Sequence, residues 1–158
     1  MLRIGQGYDL HSFGGEKSLI IGGILIETDK KIKAHSDGDV LLHSIIDSMF
    51  GALALGDLGK FYPDTDPKFS NANSIDLLKD AYKKVKDLGY KICNMDSTII
   101  LESPKIGKYS ANMQKNISKA LNIPENLISI KATTNEKLGF LGRAEAIACM
   151  TNILLTKE

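Results

Sequence analysis

The stretch Ala34-His35-Ser36-Asp37-Gly38-Asp39-Val40-Leu41-Leu42-His43-Ser44-Ile45-Ile46-Asp47 takes a loop into a helix. Ser36 is placed to cap it, and Asp37 and Asp39 put negative charge in its first turn, beside the free N–H groups. Leu41, Leu42, Ile45, Ile46, Met49 and Leu53 recur at helical spacing, so the helix is expected to run to about Leu55. Asp39, His43 and Asp47 follow at four-residue intervals and share one side of that helix. A solvated acidic face would read the same way. The tie is broken by Asp9-Leu10-His11, where a carboxylate and an imidazole two residues apart point to one side of a strand. Asp9, His11 and His43 together make a three-ligand zinc site with one position open for water or substrate.

Working outward, 158 residues are enough for one domain with a substantial core, spanning 1–158. Twenty basic against nineteen acidic side chains leave no general basic field for nucleic acid or an anionic membrane. Cys93 and Cys149 sit in apolar, strand-like contexts and are expected to be buried thiols in a reducing compartment. No apolar run approaches membrane-spanning length and the N-terminus lacks an apolar leader, so a soluble, cytoplasmic protein is expected.

Residues 2–8 read as a strand. Gly5-Gln6-Gly7 lacks the third glycine of a dinucleotide loop, with Leu10 in its place, and a Rossmann reading is set aside. Phe13 to Lys17 reads as a turn and Ser18 to Ile26 as a short hairpin broken at Gly22-Gly23. Gly56 to Pro67, with its glycines, prolines and aspartates, reads as an irregular loop long enough to be functional. A second helix is capped by Asn73 or Ser74 and ended by Gly89. A strand at 92–101 stops before Pro104, leaving Lys105 at its mouth; a helix at 109–121 and strands at 128–134 and 144–155 follow. Strands separated by helices predict a mixed, partly parallel α/β (α+β) sheet with helices on one face. Asp9, Lys105 and Thr133-Thr134 all fall at strand ends, where ligands gather in such sheets.

Two further features carry chemistry. His35 precedes the helix N-terminus, where it suits either a fourth metal ligand or a phosphate contact. Lys131 to Arg143 delivers hydroxyls, a carboxylate and a lysine into a glycine-flanked turn, fit to cradle phosphate, with Glu136 placed to hold Mg²⁺ or Mn²⁺. It is not a Walker loop, and no His-Glu-x-x-His element is present.

In this order, the two constellations resemble the 2-C-methyl-D-erythritol 2,4-cyclodiphosphate synthases, lyases of the non-mevalonate isoprenoid pathway. The matching pieces are Arg3-Ile4-Gly5 through His11, Phe13 to Glu16, Ala34 to Val40, Leu42-His43, Ala54 to Asp57, Phe61 to Asp66, Pro104-Lys105 and Lys131 to Gly142. The resemblance implies zinc on Asp9, His11 and His43, and the substrate diphosphate on His35 and Ser36, Asp9 and His11 also facing substrate. It implies a methylerythritol pocket lined by Asp57, Gly59 and Asp64, with Asp47 nearby. Lys105, Ala132, Thr133, Thr134 and Glu136 would receive the cytidine diphosphate, Glu136 also meeting a second divalent cation. His35, Thr134 and Glu136 are the implied catalytic set. A homotrimer with active sites between subunits is implied as well, Phe140 and Arg143 facing a central cavity. Gln6, Tyr62 and Asn135 depart from the frequent histidine, phenylalanine and threonine of the family. Two other readings stand beside this one. A metallophosphoesterase would need more histidines than the three present. A non-enzymatic nucleotide-binding module would hold no stoichiometric zinc.

Overall fold

The computed structural model describes residues 1–157. Its frame is a five-stranded sheet in the order β4-β1-β7-β5-β6. The strands are β1 (Leu2–Ser18), β4 (Lys31–Ile32), β5 (Tyr90–Ile100), β6 (Ile128–Thr133) and β7 (Ala146–Lys157). Only β5 and β6 pair in parallel; the other neighbours run antiparallel, so the sheet is mixed as expected. A small ribbon, β2 (Ile20–Ile21) with β3 (Ile24–Leu25), supplies the anticipated hairpin.

Three long helices, α1 (Val40–Ala52), α3 (Ser74–Asp87) and α4 (Ser110–Leu121), cover one face of this sheet. The register explains which face. Gly5, Gly7, Asp9 and His11 of β1 pair with Ile153, Thr151, Cys149 and Ile147 of β7 and point toward α1. The two glycines matter because a Cβ on Gly5 would lie 2.0 Å from the Ser48 carbonyl oxygen, and one on Gly7 would lie 1.9 Å from that of Ser44. The helix backbone rests directly on the strand, which only glycine permits. Gly5-Gln6-Gly7 is therefore a packing device that brings His43 within reach of Asp9. The alternate residues, Leu2, Ile4, Tyr8 and Met150, stay exposed on the other face. Among the described residues only the short α5 (Gly139–Gly142) reaches that side, packing Leu141 with Leu10, Ile100 and Ala148 at one end.

Several local expectations are corrected. Asp39, not Ser36, caps α1, its side chain accepting from the Leu42 N–H at 3.1 Å. The helix ends at Ala52, because Ala54 takes a left-handed conformation (φ 55°). Phe13 to Lys17 is not a free turn: β1 continues through it with an irregular register, both Phe13 and Lys17 facing Ile32. Residues 56–67 are not wholly irregular, since α2 (Leu58–Phe61) forms one helical turn capped by Asp57. A 3₁₀ turn at Gly107–Tyr109 precedes α4. Cys149 is buried as expected, but Cys93 is only half-buried, because it is the extra residue of a bulge between Ile92 and Asn94. Asn73 caps α3 through the Ile75 N–H, as anticipated.

Candidate active site

β1 and α1 meet at the predicted metal triad. Asp9 Oδ2 lies 2.9 Å from His11 Nε2 and 3.0 Å from His43 Nδ1. The two ring nitrogens are 3.2 Å apart. Zinc bonds of roughly 2.0–2.1 Å arranged tetrahedrally set donor atoms roughly 3.3 Å apart, so this donor set fits the ion. Burial works against ionising Asp9, but hydrogen bonds from His11 and His43 outweigh it and hold the carboxyl well below its ordinary range. Burial likewise opposes the charged His43, yet Asp9, with Asp39 and Asp37 behind it, raises the imidazole overall. A divalent cation would replace those protons and satisfy the same cluster of negative charge.

The triad opens on a cavity of about 270 Å³ that His35, Ser36, Tyr62 and Asp64 also line. His35 is exposed, and Lys17 holds the backbone beneath it, donating to the His35 carbonyl at 2.7 Å and also to that of Ser36. His35 is not among the triad donors, which leaves it free to face a ligand. The other acidic residues of the helix do different work. Asp39 is fully buried and accepts from the N–H groups of Gly22 (2.9 Å) and Gly23 (2.7 Å), fastening the β2–β3 turn to α1. Burial pushes its carboxyl up to about 6 despite those bonds. Asp39 is thus structural, not part of a solvated face. Asp47 accepts from the Leu58 N–H at 2.6 Å and ties down the acidic loop. Asp57 caps α2 through the Lys60 N–H at 3.0 Å, beside exposed Gly59, while Asp64 reaches the cavity. The Tyr62 ring forms part of the wall, but its hydroxyl points away and donates to Asp80 Oδ2 at 2.7 Å.

The second constellation forms a separate cavity of about 340 Å³ between β5, β6 and α4, lined by Lys105, Ala132, Thr133 and Thr134. The loop beyond it is exposed and strained, Glu136 (φ 51°) and Lys137 (φ 62°) both being left-handed. Thr134 donates to Glu136 Oε1 at 2.9 Å, and Glu102 accepts from the N–H groups of Asn135 (2.7 Å) and Lys137 (3.3 Å). Phe140 and Arg143 stand outside both cavities, Arg143 paired with Glu145 at 2.6 Å. The cavities share no lining residue. The paired row Asp9–Cys149–Ile99–Ala132 puts them at the same end of the sheet but three strand spacings, about 14 Å, apart.

The architecture has counterparts in known proteins. Residues 2–156 match the model of the YgbB family. The chain belongs to the YgbB family. A 2-C-methyl-D-erythritol 2,4-cyclodiphosphate synthase of Histophilus somni is 49% identical over 158 residues, covering 100% of this chain and 98% of its own. Among solved structures, the CDP complex of Plasmodium falciparum IspF superposes with a TM-score of 0.88 at 42% identity, covering 99% of this chain and 97% of that one. The bifunctional IspDF of Campylobacter jejuni gives a TM-score of 0.96 at 46% identity; the match covers all of this chain and 43% of the longer one. This YgbB member is therefore an enzyme, an IspF-type synthase of isoprenoid biosynthesis.

Sequence patterns located the candidate metal triad but missed what holds the site in shape. Lys17, Glu102, Ser74 and Asp80 each act across long stretches of chain. Ser74 is fully buried, and its Oγ lies 2.8 Å from His43 Nε2. Asp37, expected in the first turn of α1, instead receives the hydroxyl and, at 2.8 Å, the N–H of Ser74. A serine three residues before a helical leucine pair gives no local hint of such a role.

Proposed function

We propose that the protein converts 4-diphosphocytidyl-2-C-methyl-D-erythritol 2-phosphate into 2-C-methyl-D-erythritol 2,4-cyclodiphosphate and CMP. The convergence of Asp9, His11 and His43 beside His35 and Ser36 carries this reading. One zinc ion per chain belongs on that triad, and Glu136 offers a hard oxygen ligand to a second divalent cation, Mg²⁺ or Mn²⁺. When bound, the ions neutralise charge on the phosphoryl oxygens.

An oxygen of the 2-phosphate attacks the β-phosphorus, a new P–O bond closes the ring, and the bond to the α-phosphate oxygen breaks to release CMP. The nucleophile is already anionic near neutral pH, so the chain has to position groups more than move protons. His35 and Ser36 orient the diphosphate, and Thr134 and Glu136 hold the departing phosphate. Lys105, Ala132 and Thr133 receive the cytidine diphosphate, in keeping with the CDP bound by the Plasmodium falciparum relative. Asp64 serves the methylerythritol hydroxyls, with Asp57, Gly59 and Asp47 shaping the loop that carries it. Binding one molecule folded, with donor and acceptor in line, is worth on the order of 7–11 kcal/mol of the barrier.

A cavity for the metal and a cavity for the nucleotide about 14 Å apart favour an active site completed by a neighbouring subunit. The sheet face that the long helices leave open, with Leu2, Ile4, Tyr8 and Met150 exposed, favours the same arrangement. The proposed assembly is a homotrimer of single 1–158 domains, with Phe140 and Arg143 toward its axis. Among the described residues no helix is long and apolar enough to cross a membrane; a cytoplasmic location completes the proposal. The test is a CMP-release assay with and without chelator, the organic product being identified. A cyclic diphosphate formed only with metal supports the reading, and simple hydrolysis or chelator-resistant turnover refutes it. Sedimentation of the protein at a monomer's mass would remove the trimer.

A further inference from the structure

We propose that Ser74 and Asp37 are positioning residues for the metal centre, fixing His43 in the tautomer that carries its proton on Nε2 and offers Nδ1 to the metal. The inference rests on the metal reading above and goes beyond it, because neither residue touches the ion's position. Nδ1 is the His43 atom that faces Asp9 and His11, at 3.0 and 3.2 Å. A ligating nitrogen must be unprotonated, so the neutral ring has to keep its proton on Nε2.

Nε2 meets the Ser74 hydroxyl at 2.8 Å inside the protein. A hydroxyl either donates or accepts, so Ser74 alone would stabilise either tautomer equally. Asp37 removes that ambiguity. Its carboxylate only accepts, and it takes the Ser74 O–H on Oδ1 and the Ser74 N–H on Oδ2 at 2.8 Å. With its proton committed to Asp37, the Ser74 oxygen can only accept from His43 Nε2–H. The direction of the whole relay is thereby set. Ser36 Oγ, at 3.4 Å from Nε2, makes a longer contact and already accepts from the Gly38 N–H at 3.2 Å.

Two blander roles fit less well. Capping α3 does not require this geometry, since Asn73 already accepts from the Ile75 N–H at 2.9 Å. Nor is Ser74 a nucleophile: it is fully buried, and its proton goes to the carboxylate and not to the imidazole. The relay also ties the metal ligand to the phosphate-facing loop. The Asn71 N–H donates to the His35 carbonyl at 3.2 Å and the Asp37 N–H to that of Ala72 at 3.3 Å. The start of α3 thus indexes His35 and His43 together.

The test uses the full-length protein and its Ser74→Ala, Ser74→Thr and Asp37→Asn variants. The hydrogen bond of the His43 Nε2–H is read by ¹H and ¹⁵N NMR on zinc-free and zinc-loaded samples, and the zinc dissociation constant by chelator competition. Thermal midpoints of the zinc-free forms report folding. In the parent the Nε2–H should be present and slow to exchange in both forms, while Nδ1 faces Asp9 without zinc and the metal with it. Ser74→Ala should speed that exchange and weaken zinc binding about 10–100-fold. Ser74→Thr, which keeps the hydroxyl, should restore both. Asp37→Asn is nearly isosteric but puts a donor where one acceptor stood, so it should also speed the exchange and weaken zinc even if Ser74→Ala fails to fold. An Nε2–H unchanged in the folded variants, or zinc affinity within twofold of the parent, overturns the proposal. A parent that binds no zinc refutes the metal reading instead, and the exchange of the Nε2–H still decides the relay.

Discussion

The two corners of the sheet's upper edge are built differently. At the candidate metal corner the donors are anchored: Asp9 and His43 by each other, His43 again by Ser74, and the loop below His35 by Lys17. At the proposed nucleotide corner Ala132, Thr133 and Glu136 are exposed, and Glu102, with bonds inside the loop from Thr134 and Asn135, props a left-handed turn. The contrast suits what each corner is proposed to bind. A small dication needs its donors fixed within tenths of an ångström before it arrives. A nucleotide brings many contacts of its own and is met by a surface that finishes ordering around it.

The largest effect is expected from His43→Ala. It should abolish stoichiometric zinc and lower turnover by about 10³-fold or more, the several kcal/mol a metal supplies, while circular dichroism stays that of the folded parent. Retained zinc and full turnover would show that the metal corner is not what the reaction uses.

Next in size is Gly7→Ala, which forces a Cβ against the Ser44 carbonyl oxygen 1.9 Å away. Denaturant unfolding should show a loss of about 3 kcal/mol, with weaker zinc binding as α1 lifts off β1. An equal loss from an alanine in the 134–138 loop would erase the distinction between the corners.

Acid titration separates the zinc-free and zinc-bound forms. Asp39 holds its proton up to about 6 when folded, against 3.8 ordinarily, so the folded state binds more protons between those values. The contribution of this group therefore falls as pH rises from about 4 to about 6, by about 3 kcal/mol. The raised His43 works in the same sense for the zinc-free chain. Zinc binding has the opposite slope, because His43 must lose its proton to bind. Thermal melts across pH 4.5–7.5, with and without zinc, should diverge accordingly, and Asp39→Asn should flatten the zinc-free curve.

At the nucleotide corner, Glu136→Gln should lower turnover about 10–100-fold yet leave the unfolding free energy within about 0.5 kcal/mol, since the side chain is exposed. A large stability loss would mean that the loop is as tightly built as the metal site. The smallest expected effect is Tyr62→Phe. Losing the bond to Asp80, itself paired with Lys84 at 2.8 Å, should cost about 1 kcal/mol, measurable by denaturant unfolding, and change KM more than kcat.

How much of this was readable beforehand follows the range of the interactions. Spacing alone identified Asp9, His11 and His43, because strand and helix periods fix which side chains share a face. The same logic placed the long helices, the mixed sheet and the thiol of Cys149. It erred where the chain's neighbours override local preference. Ser36 looks like a better cap than Asp39 until Gly22 and Gly23 bring their N–H groups to Asp39. Phe13 to Lys17 looks like a turn until Ile32 pairs with both of its ends.

By itself, the sequence determined the periodic elements, the chemistry of the donor set and membership in a family with a recognisable order of motifs. Only the tertiary structure decided which polar groups are anchored, in which direction Ser74 passes its proton, and that the two cavities stand apart. The reason is physical. Helical and strand periodicity act over a few residues, whereas a buried hydrogen bond takes whatever partner packing delivers, here from 31 residues along the chain for Ser74 and 37 for Asp37.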